Sequence, residues 1–314
     1  MKRRVSGLIG VDIGSTAVKL VQLRAPGAAD SPAPICAGAP VPPGAVADGL
    51  VARPVEVAAA LAAALEKAGI GARDAVAAIS GGAVVLRPAS LPRMGRAELM
   101  RAAYWEAQRQ IPLPLEDLVV DCAVCGEDAE RAGMVDVIIA GAQRRAASAL
   151  AATLVRAGLR PRALDADALA AYRALVALRP AAGAKDAVAL LDVGAANSRL
   201  WLFGRRQLQV SRTIPVGVEQ VSADFGSACQ SLADGLRRSL EFFLLRGKRL
   251  AEDVFLLGGG AGLPGLAEAL AELLAEGFAG RQKDSGRIAV SALDPGGGSA
   301  YALAFGLALW EGQR

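Results

Sequence analysis

The sequence predicts an α/β protein built from two related lobes with a cleft between them. The first observation is a repeated order of elements: a strand, a tight turn and a second strand, followed by helices, occurs near the N-terminus and again after residue 185. The second is that both copies enter the turn through the same pattern, an apolar strand ending in Asp-x-Gly. An internal duplication of α/β units of this kind favours two similar lobes.

Length and composition agree with this fold class and exclude several kinds of chemistry. The 314 residues are enough for two lobes, and with 53% hydrophobic but only 4% aromatic residues the core must consist of Ala, Leu and Val. A net charge of +4 is too small to predict a nucleic-acid partner. The sequence has no histidine, which excludes a Ser-His-Asp relay and any His-ligated zinc site.

The four cysteines predict neither a metal site nor a disulfide scaffold. Cys122 and Cys125 form a C-x-x-C, but the surrounding residues alternate like a strand, so the two side chains would face opposite sides. With Cys36 and Cys229 they are interpreted as buried, reduced thiols of a cytosolic protein. No signal peptide and no apolar run long enough for a bilayer is visible, so the expected location is cytoplasmic.

The first repeat is predicted to open with a β-hairpin. Val5–Gly14 is an apolar strand, and Ala17–Arg24 follows it after a tight turn. Residues 25–47 are rich in Pro, Gly and Ala, which indicates a loop with one short strand around Ile35. The further predicted elements are helix Pro54–Lys67, strand Ala75–Ser80, a segment Leu86–Pro92 that leads to helix Arg96–Gln110, strands Leu118–Cys125 and Met134–Ala140, helix Arg144–Ala157, strand Arg160–Leu164 and helix Ala166–Leu178.

The second repeat is predicted to begin after the segment Pro180–Lys185, which is typical of a linker. Its first strand is Asp186–Gly194, and a hairpin follows around residues 204–206. The other predicted elements are hairpin strands Ser198–Phe203 and Gln207–Ile214, a long helical region Glu219–Arg246, strand Asp253–Leu257, helix Pro264–Ala275, strand Ile288–Ser291 and helix Ser299–Trp310.

The first Asp-x-Gly turn has the residue types that suit a metal–phosphate group. Asp12 ends the strand and could hold Mg²⁺ through water, while Gly14 lets the backbone approach phosphate oxygens. The N–H groups of Ser15 and Thr16 could point at those oxygens, and Lys19 could supply a positive charge. A single turn of this kind is common and has no specific meaning alone.

The second turn repeats the first. Asp192 ends a strand and is the second candidate metal-holding carboxylate, and Gly194 follows two residues later. The small turn residues, which would offer backbone N–H groups to phosphate, are Ala195, Ala196 and Asn197. Two such turns facing each other across a cleft could hold one phosphate chain from both sides, so the pair is much more specific than either turn.

A third motif follows the strand Asp253–Leu257. The consecutive glycines Gly258, Gly259 and Gly260 permit close backbone approach to a ligand. Residues 260–265 also match G-x-G-x-x-G, the dinucleotide-binding pattern. That alternative is disfavoured because the match lies in the last βα unit and no acidic residue ends a strand at the usual distance.

Together these motifs resemble the phosphate-1, phosphate-2 and adenosine segments of the actin, Hsp70 and sugar-kinase superfamily. Within it the sequence is similar to the PilM family of type IV pilus assembly proteins, relatives of FtsA. The IPxPLE turn in Tyr104–Val120 separates PilM from other superfamily members. The segments that carry the resemblance are Leu8–Leu23, Tyr104–Val120, Ala157–Ala168, Ile214–Gln220, which contains Gly217, and Leu257–Gly265.

The resemblance implies an actin-like two-lobe fold of duplicated βββαβαβα units with a small inserted α+β subdomain. It divides the chain into a first-lobe segment 1–85, the inserted subdomain 86–142, a return to the first lobe at 143–185 and a second lobe 186–314. It also implies ATP and Mg²⁺ between the lobes, bound by the turn residues above together with Gly217 and the three glycines.

A partner and a location are implied as well. PilM-type proteins bind the short N-terminal tail of the inner-membrane protein PilN, and through it PilO and the pilus motor components. The chain would therefore lie at the cytoplasmic face of the inner membrane and contact the membrane only through that partner. The residues expected to contact the tail are Tyr104, Gln108 and Ile111, which belong to the amphipathic helix of the inserted subdomain or to its end.

Two departures from the family pattern keep alternatives open. The second turn reads AANS where the family more often has a threonine, and the stretch between Gly217 and Gly258 is shorter than usual, as in a short MshI-like member. At most weak ATP hydrolysis is therefore expected. The alternatives are a small-molecule kinase, with Asp165 or Asp167 as base, and a scaffold without nucleotide, like the type II secretion protein GspL.

Overall fold

The structure is a computed structural model that describes residues 7–24, 33–128, 131–245, 250–278 and 288–311. The first half of the chain forms ten strands and five helices in the described ranges. Its strands are β1 Ile9–Ile13, β2 Ala17–Gln22, β3 Ile35–Pro40, β4 Val46–Ala47, β5 Leu50–Val51, β6 Asp74–Ile79, β7 Val84–Pro92, β8 Leu118–Glu127, β9 Met134–Gln143 and β10 Arg160–Ala166. Its helices are α1 Pro54–Lys67, α2 Arg96–Gln110, α3 Arg144–Arg156, α4 Asp167–Leu178 and α5 Pro180–Gly183.

The second half repeats the arrangement with a longer helical segment. Its strands are β11 Ala187–Val193, β12 Ser198–Gly204, β13 Gln207–Ile214, β14 Asp253–Leu257 and β15 Ala289–Ala292. Its helices are α6 Val218–Ala223, α7 Phe225–Leu245, α8 Leu266–Phe278 and α9 Ala302–Ala308. Short 3₁₀ turns occupy Gly81–Ala83, Leu115–Asp117, Gly259–Gly262 and Ser299–Tyr301.

The two five-stranded sheets have the same topology. The first has the order β3-β2-β1-β6-β10 and the second the order β13-β12-β11-β14-β15. In each sheet the first three strands are antiparallel neighbours, and the last two run parallel to the central first strand. The internal duplication predicted from the order of elements is therefore present strand for strand.

The central strand of each lobe is almost wholly apolar because it is covered on both faces. All seven residues of β11 are buried, as are the first four of the five residues of β1. A parallel-type strand between two layers of helices needs such a continuous apolar run, unlike a strand with one wet face. This composition places Asp12 and Asp192, one at the end of each strand, at the rim of the core.

Helices α4 and α9 lie against both sheets. One apolar cluster contains residues of both helices together with Val76 from the first sheet and Leu190 and Trp201 from the second. Glycines permit the closest approaches: a Cβ on Gly306 would lie 1.9 Å from the Ala170 carbonyl oxygen, so α9 packs directly on α4. The lobes are thus joined through a shared core rather than through a surface loop.

The segment between β6 and α3 forms a separate small layer. Strands β7, β9 and β8 make an antiparallel sheet in that order, and α2 packs on one face of it. Its core contains Leu99, Ala103 and Ala107 of α2 with Ile139 of the central strand β9. This sheet, together with α2, is the α+β insertion that the family resemblance implies.

Several boundaries differ from the predicted ones for local reasons. The predicted helical region Glu219–Arg246 is broken at Asp224, whose carboxylate accepts a hydrogen bond from the Ser227 amide (3.1 Å) and so begins a new helix. The predicted linker Pro180–Lys185 is wrong in its first part, because α5 forms there and Ala182 is buried. The predicted helix from Pro264 begins only at Leu266, after a 3₁₀ turn.

The cysteines are free thiols, with one exception to the predicted burial. Cys122 and Cys229 are buried and Cys36 is half-buried, but Cys125 is exposed. The pairing of β8 shifts register between Val124 and Gly126, so Cys125 lies where the regular alternation of the strand is interrupted. Within the described ranges, no helix combines the length and the apolar character that a membrane span requires.

Candidate functional site

The two Asp-x-Gly turns are closed by equivalent backbone hydrogen bonds. The Gly14 amide donates a hydrogen bond to the Ala17 carbonyl (3.0 Å), and the Gly194 amide donates one to the Asn197 carbonyl (3.1 Å). Each turn joins the central strand of its sheet to the next strand of the hairpin. The duplication therefore extends to the individual hydrogen bond that closes the turn.

Each turn leaves backbone donors unused. Among the described residues, the amides of Ser15 and Thr16 in the first turn have no hydrogen-bond partner, and the same holds for Ala195 and Ala196 in the second. Thr16 and Ala196 are exposed at the tips. Consecutive unpaired amides beside a glycine form a small concavity that suits an anion such as a phosphate oxygen.

A carboxylate and a cation face each other across each hairpin. Asp12 is paired in register with Lys19, and the Lys19 ammonium donates to Asp12 Oδ2 over 2.9 Å. Asp192 is paired in register with Arg199, whose Nη2 donates to Asp192 Oδ2 over 2.7 Å. Both aspartates are only 6% exposed, so each needs the neighbouring positive charge.

Arg199 makes a second contact that Lys19 does not. Its Nη1 donates to Oδ2 of Asp167 over 2.6 Å, and Asp167 is the first residue of α4. Because α4 follows the last strand of the first sheet whereas Arg199 belongs to the second sheet, this ion pair connects the two lobes. The guanidinium also lies 5.8 Å from the centre of the Trp201 ring, within the range of a cation–π contact.

The charged groups of both turns act on one another. Burial lowers the pKa of Lys19, but the attraction of Asp12 outweighs it, and Asp192 of the other lobe adds to the rise. Burial raises the pKa of Asp167, and Arg199 offsets only part of that rise. Burial alone would lower the pKa of Arg199, but Asp192 and Asp167 outweigh this effect. The pKa is therefore raised, and the guanidinium stays charged. The two turns thus contribute to a single cluster of charges.

The glycine-rich loop after β14 closes against the second turn. Gly258 has φ 85° and ψ 178°, a backbone region open only to glycine, and a Cβ there would lie 2.2 Å from Asp192 Oδ1. A Cβ on Gly260 would lie 2.3 Å from Val193 Cγ1. Only Gly259 is exposed with no atom within 4 Å of such a Cβ. Two of the three glycines are therefore needed for packing, and Gly259 alone has room for a ligand.

Gly217 also supports the second turn. A Cβ on Gly217 would lie 2.4 Å from the Ala195 carbonyl oxygen, so no other residue fits without a shift. The amides that follow it, Val218 and Glu219 at the start of α6, donate to the carbonyls of Gly194 (2.9 Å) and Ala195 (3.0 Å). The turn's carbonyls are occupied in this way while its amides remain unused.

A phosphate chain fits these residues better than a directly bound metal ion. The turns offer unused amides and two cations, whereas Asp12 and Asp192 each already bond a cation through Oδ2. Within the described ranges, no three His, Cys, Asp or Glu side chains are grouped so that they could hold a metal. The two carboxylates expected to hold Mg²⁺ therefore each already bond a cation of the chain through one oxygen.

The expected partner residues separate into two groups. Tyr104 and Gln108 lie on the exposed face of α2, and Trp105 beside them is 66% exposed. Ile111 is only 3% exposed and packs against Gly141, where a Cβ would lie 2.4 Å from its Cδ1. The expectation that Ile111 contacts the partner is wrong. Its side chain lies in the core of the small layer, where it packs with the buried residues of α2.

Sequence reasoning missed Arg199, although a signal was present. The residue occupies the position of Lys19 in the second repeat, since both face the aspartate that ends the preceding strand. Aligning the two hairpins residue by residue would have identified it as the second cation of the site. Its contact with Asp167 could not have been found in this way, because it depends on how the lobes pack.

Comparisons with known proteins identify the family. The family model described as type IV pilus assembly protein PilM matches residues 10–230, which is most of the chain. A chain of the solved PilM–PilN type IV pilus biogenesis complex is 29% identical, with 98% of each chain covered and a TM-score of 0.78.

More distant solved structures share only the fold. Ethanolamine utilization protein EutJ from Carboxydothermus hydrogenoformans is 16% identical, with 96% of this chain and 89% of that chain covered and a TM-score of 0.58. A Bacteroides thetaiotaomicron protein with an actin-like ATPase fold is 12% identical, with 99% and 100% covered and a TM-score of 0.50. The predicted actin-like two-lobe fold with an α+β insertion is confirmed.

Proposed function

This chain belongs to the PilM family of type IV pilus assembly proteins, and we propose that within pilus biogenesis it is a nucleotide-binding platform for a membrane partner. ATP or ADP would lie in the cleft with its phosphates between the two turns. The partner would be a PilN-like inner-membrane protein whose N-terminal tail lies on the inserted layer, and PilO and the motor components would be reached only through it. This would hold the chain at the cytoplasmic face of the inner membrane.

The paired turns are the single observation that supports nucleotide binding most. Four amides that have no hydrogen-bond partner among the described residues, those of residues 15, 16, 195 and 196, belong to turns with equivalent closing hydrogen bonds on the two sides of one charged cluster. Lys19 and Arg199 supply positive charge at the base of the turns. Anions bind to such amide groups when a fixed positive charge lies nearby, because the donors are already oriented.

Hydrolysis is expected to be slow. The two carboxylates considered as bases are both engaged: Asp167 with Arg199 and Asp165 with Arg173. A general base must be free to approach the attacking group, and both of these side chains are already bonded to a guanidinium. The same observation disfavours the small-molecule kinase, which would need one of these carboxylates.

The partner tail is proposed to lie along α2 and the neighbouring edge of the sheet. Strand β8 is an edge strand of the β7-β9-β8 sheet, and its residues Val119 and Val124 are 44% and 54% exposed. Tyr104 and Trp105 add an aromatic face with ring centres 6.4 Å apart. An extended peptide could add to the strand edge while its side chains contact the aromatic residues. The relative of this chain in the solved complex is bound to PilN.

Calorimetric titration with ATP and ADP tests the nucleotide part. Thr16→Asp and Ala196→Asp each place a carboxylate at the exposed tip of one turn, where it would repel phosphate without disturbing the core. We expect each to weaken binding by at least about tenfold. Ala62→Asp, on the exposed face of α1, is the matched control and should bind as the parent does. No heat and no melting shift with the parent at millimolar ATP would contradict the proposal and favour a scaffold without nucleotide.

Binding of a synthetic peptide corresponding to the partner's N-terminal tail tests the second part. Trp105→Ser and Gln108→Arg should weaken binding without changing stability, since both side chains are exposed. Val155→Ser removes a similarly exposed apolar side chain, 60% accessible, from α3 and is the matched control. If the peptide binds all three variants equally, the tail binds elsewhere on the chain.

A further inference from the structure

Arg199 lies where three carboxyl groups from both lobes converge. It bonds Asp192 over 2.7 Å and Asp167 over 2.6 Å, and Asp12 is close enough to act on its charge. The Arg199 side chain is only 22% exposed, and the side chains of Asp167 and Asp192 are 6% and 8% exposed. A cation that bonds carboxylates from both halves of the proposed nucleotide site occupies a place that a metal ion could otherwise take.

The charges around the two aspartates therefore differ from those expected of an ATP–Mg²⁺ site. A divalent ion approaching Asp192 would meet the guanidinium at the carboxylate and be repelled by it. On the first lobe the Lys19 ammonium stands in the same relation to Asp12 at 2.9 Å. Both positions from which a carboxylate could attract a metal are thus held by permanent cations of the chain.

The guanidinium retains donors for a ligand. Its planar group has five N–H donors, of which the two ion pairs use one on each of Nη1 and Nη2. Arginine binds phosphate oxygens through such donors in a fixed, planar geometry and remains charged at any physiological pH. One side chain can therefore hold the carboxylates of the two lobes together and face a phosphate.

We propose that Arg199 is a built-in cation of the cleft, so that the chain binds a nucleoside polyphosphate without requiring a divalent metal ion. This inference rests on the proposed nucleotide site, but its metal-binding half can be tested without any nucleotide. Removing the guanidinium should open a position between Asp167 and Asp192 that attracts a divalent ion, because the two carboxylates then lose their common partner.

The first experiment measures Mn²⁺ uptake by the nucleotide-free chain, from the electron paramagnetic resonance signal of free Mn²⁺. The parent should take up none at sub-millimolar concentrations, whereas Arg199→Gln should bind one ion. Arg212→Gln, the same change at an exposed position one strand away, is the matched control and should behave as the parent. Uptake of an ion by the parent, or none by a folded Arg199→Gln protein, would overturn the proposal.

The second experiment compares ATP affinity of the parent in excess Mg²⁺ and in EDTA, and needs no variant. The expected change is less than about tenfold, and a larger loss in EDTA would overturn the proposal even if Arg199→Gln fails to fold. If ATP binds under neither condition, the proposed nucleotide function fails, and Mn²⁺ uptake still decides whether Arg199 holds the place of a cation. A parent that takes up Mn²⁺ would then contradict that role as well.

Discussion

The two turns of the cleft are copies in backbone but not in side chains. Each closes with the same amide–carbonyl bond, and each has an aspartate facing a cation on the next strand. In the first lobe the cation is a lysine with one carboxylate, and the turn carries the hydroxyl residues Ser15 and Thr16. In the second it is an arginine with two carboxylates, and the turn carries alanines.

The difference indicates a division of tasks between the lobes. The second turn is fixed from several sides, since Gly217 and Gly258 approach it closely and the amides of α6 bind its carbonyls. The first turn has fewer such contacts and carries the polar side chains of Ser15 and Thr16. We interpret the second turn as the structural half of the site, which also joins the lobes, and the first as the half that adapts to the phosphates.

Gly258→Ala should show the largest effect and tests whether the second turn is as tightly packed as inferred. The Cβ would lie 2.2 Å from Asp192 Oδ1 and 2.7 Å from the Val193 carbonyl oxygen, in a backbone region that only glycine occupies. We expect a loss of at least about 3 kcal/mol in the free energy of unfolding. Gly259→Ala, with no atom within 4 Å, is the control in urea denaturation. Equal stability of the two variants would contradict the inferred packing.

Replacing each cation by methionine compares the two turns directly. Arg199→Met leaves two buried carboxylates without their partner and should cost about 3 kcal/mol. Lys19→Met leaves one and should cost about 1–2 kcal/mol. Adding Asp167→Asn to Arg199→Met should recover part of the loss, because it removes one buried charge. Urea denaturation measures the loss in the free energy of unfolding for both variants. Equal losses for Arg199→Met and Lys19→Met would contradict the proposed difference between the lobes.

Alanine in place of the turn glycines is expected to have a smaller effect. A Cβ on Gly194 would lie 2.7 Å from the Asn197 carbonyl oxygen, whereas one on Gly14 would lie 3.1 Å from that of Ala17. The shorter contact requires the second turn to shift, so Gly194→Ala should cost about 1–2 kcal/mol and Gly14→Ala no more than about half of that. Thermal denaturation of both variants tests whether Gly194→Ala is the less stable one. A lower stability of Gly14→Ala would contradict this expectation.

The smallest expected effect is a pH dependence at the first turn. The pKa of Lys19 is raised in the fold, so its stabilising contribution is complete below the ordinary lysine pKa of about 10.4 and is lost as pH rises through the higher folded value. The stability difference between the parent and Lys19→Met should therefore be constant from pH 7 to 9 and shrink above pH 10.4. A difference that shrinks already below pH 9 would show that the ammonium is not held by Asp12.

Local patterns made most of the fold predictable. The hairpins β1–β2 and β11–β12 follow from apolar strands around Asp-x-Gly turns, and their repetition indicated two lobes of one topology. The burial of Ile111 was not predictable, because it depends on Gly141 of a strand that lies about thirty residues further along the chain.

The candidate site was predictable only where its residues lie close together in sequence. Its turns were found because each is a short, contiguous motif. The packing of Gly258 against Asp192 was not predictable, since this contact joins segments distant in sequence. The Arg199–Asp167 pair likewise joins two elements that only tertiary packing brings together.

A crystal structure with a non-hydrolysable ATP analogue tests most directly the central claim that both turns hold one phosphate chain. We expect phosphate oxygens within about 3 Å of the Ser15 and Thr16 amides and of at least one amide among Ala195 and Ala196. We also expect a phosphate oxygen within hydrogen-bond distance of Arg199 or Lys19. A cleft that stays empty at millimolar analogue, or an analogue whose phosphates contact neither turn, would contradict the claim.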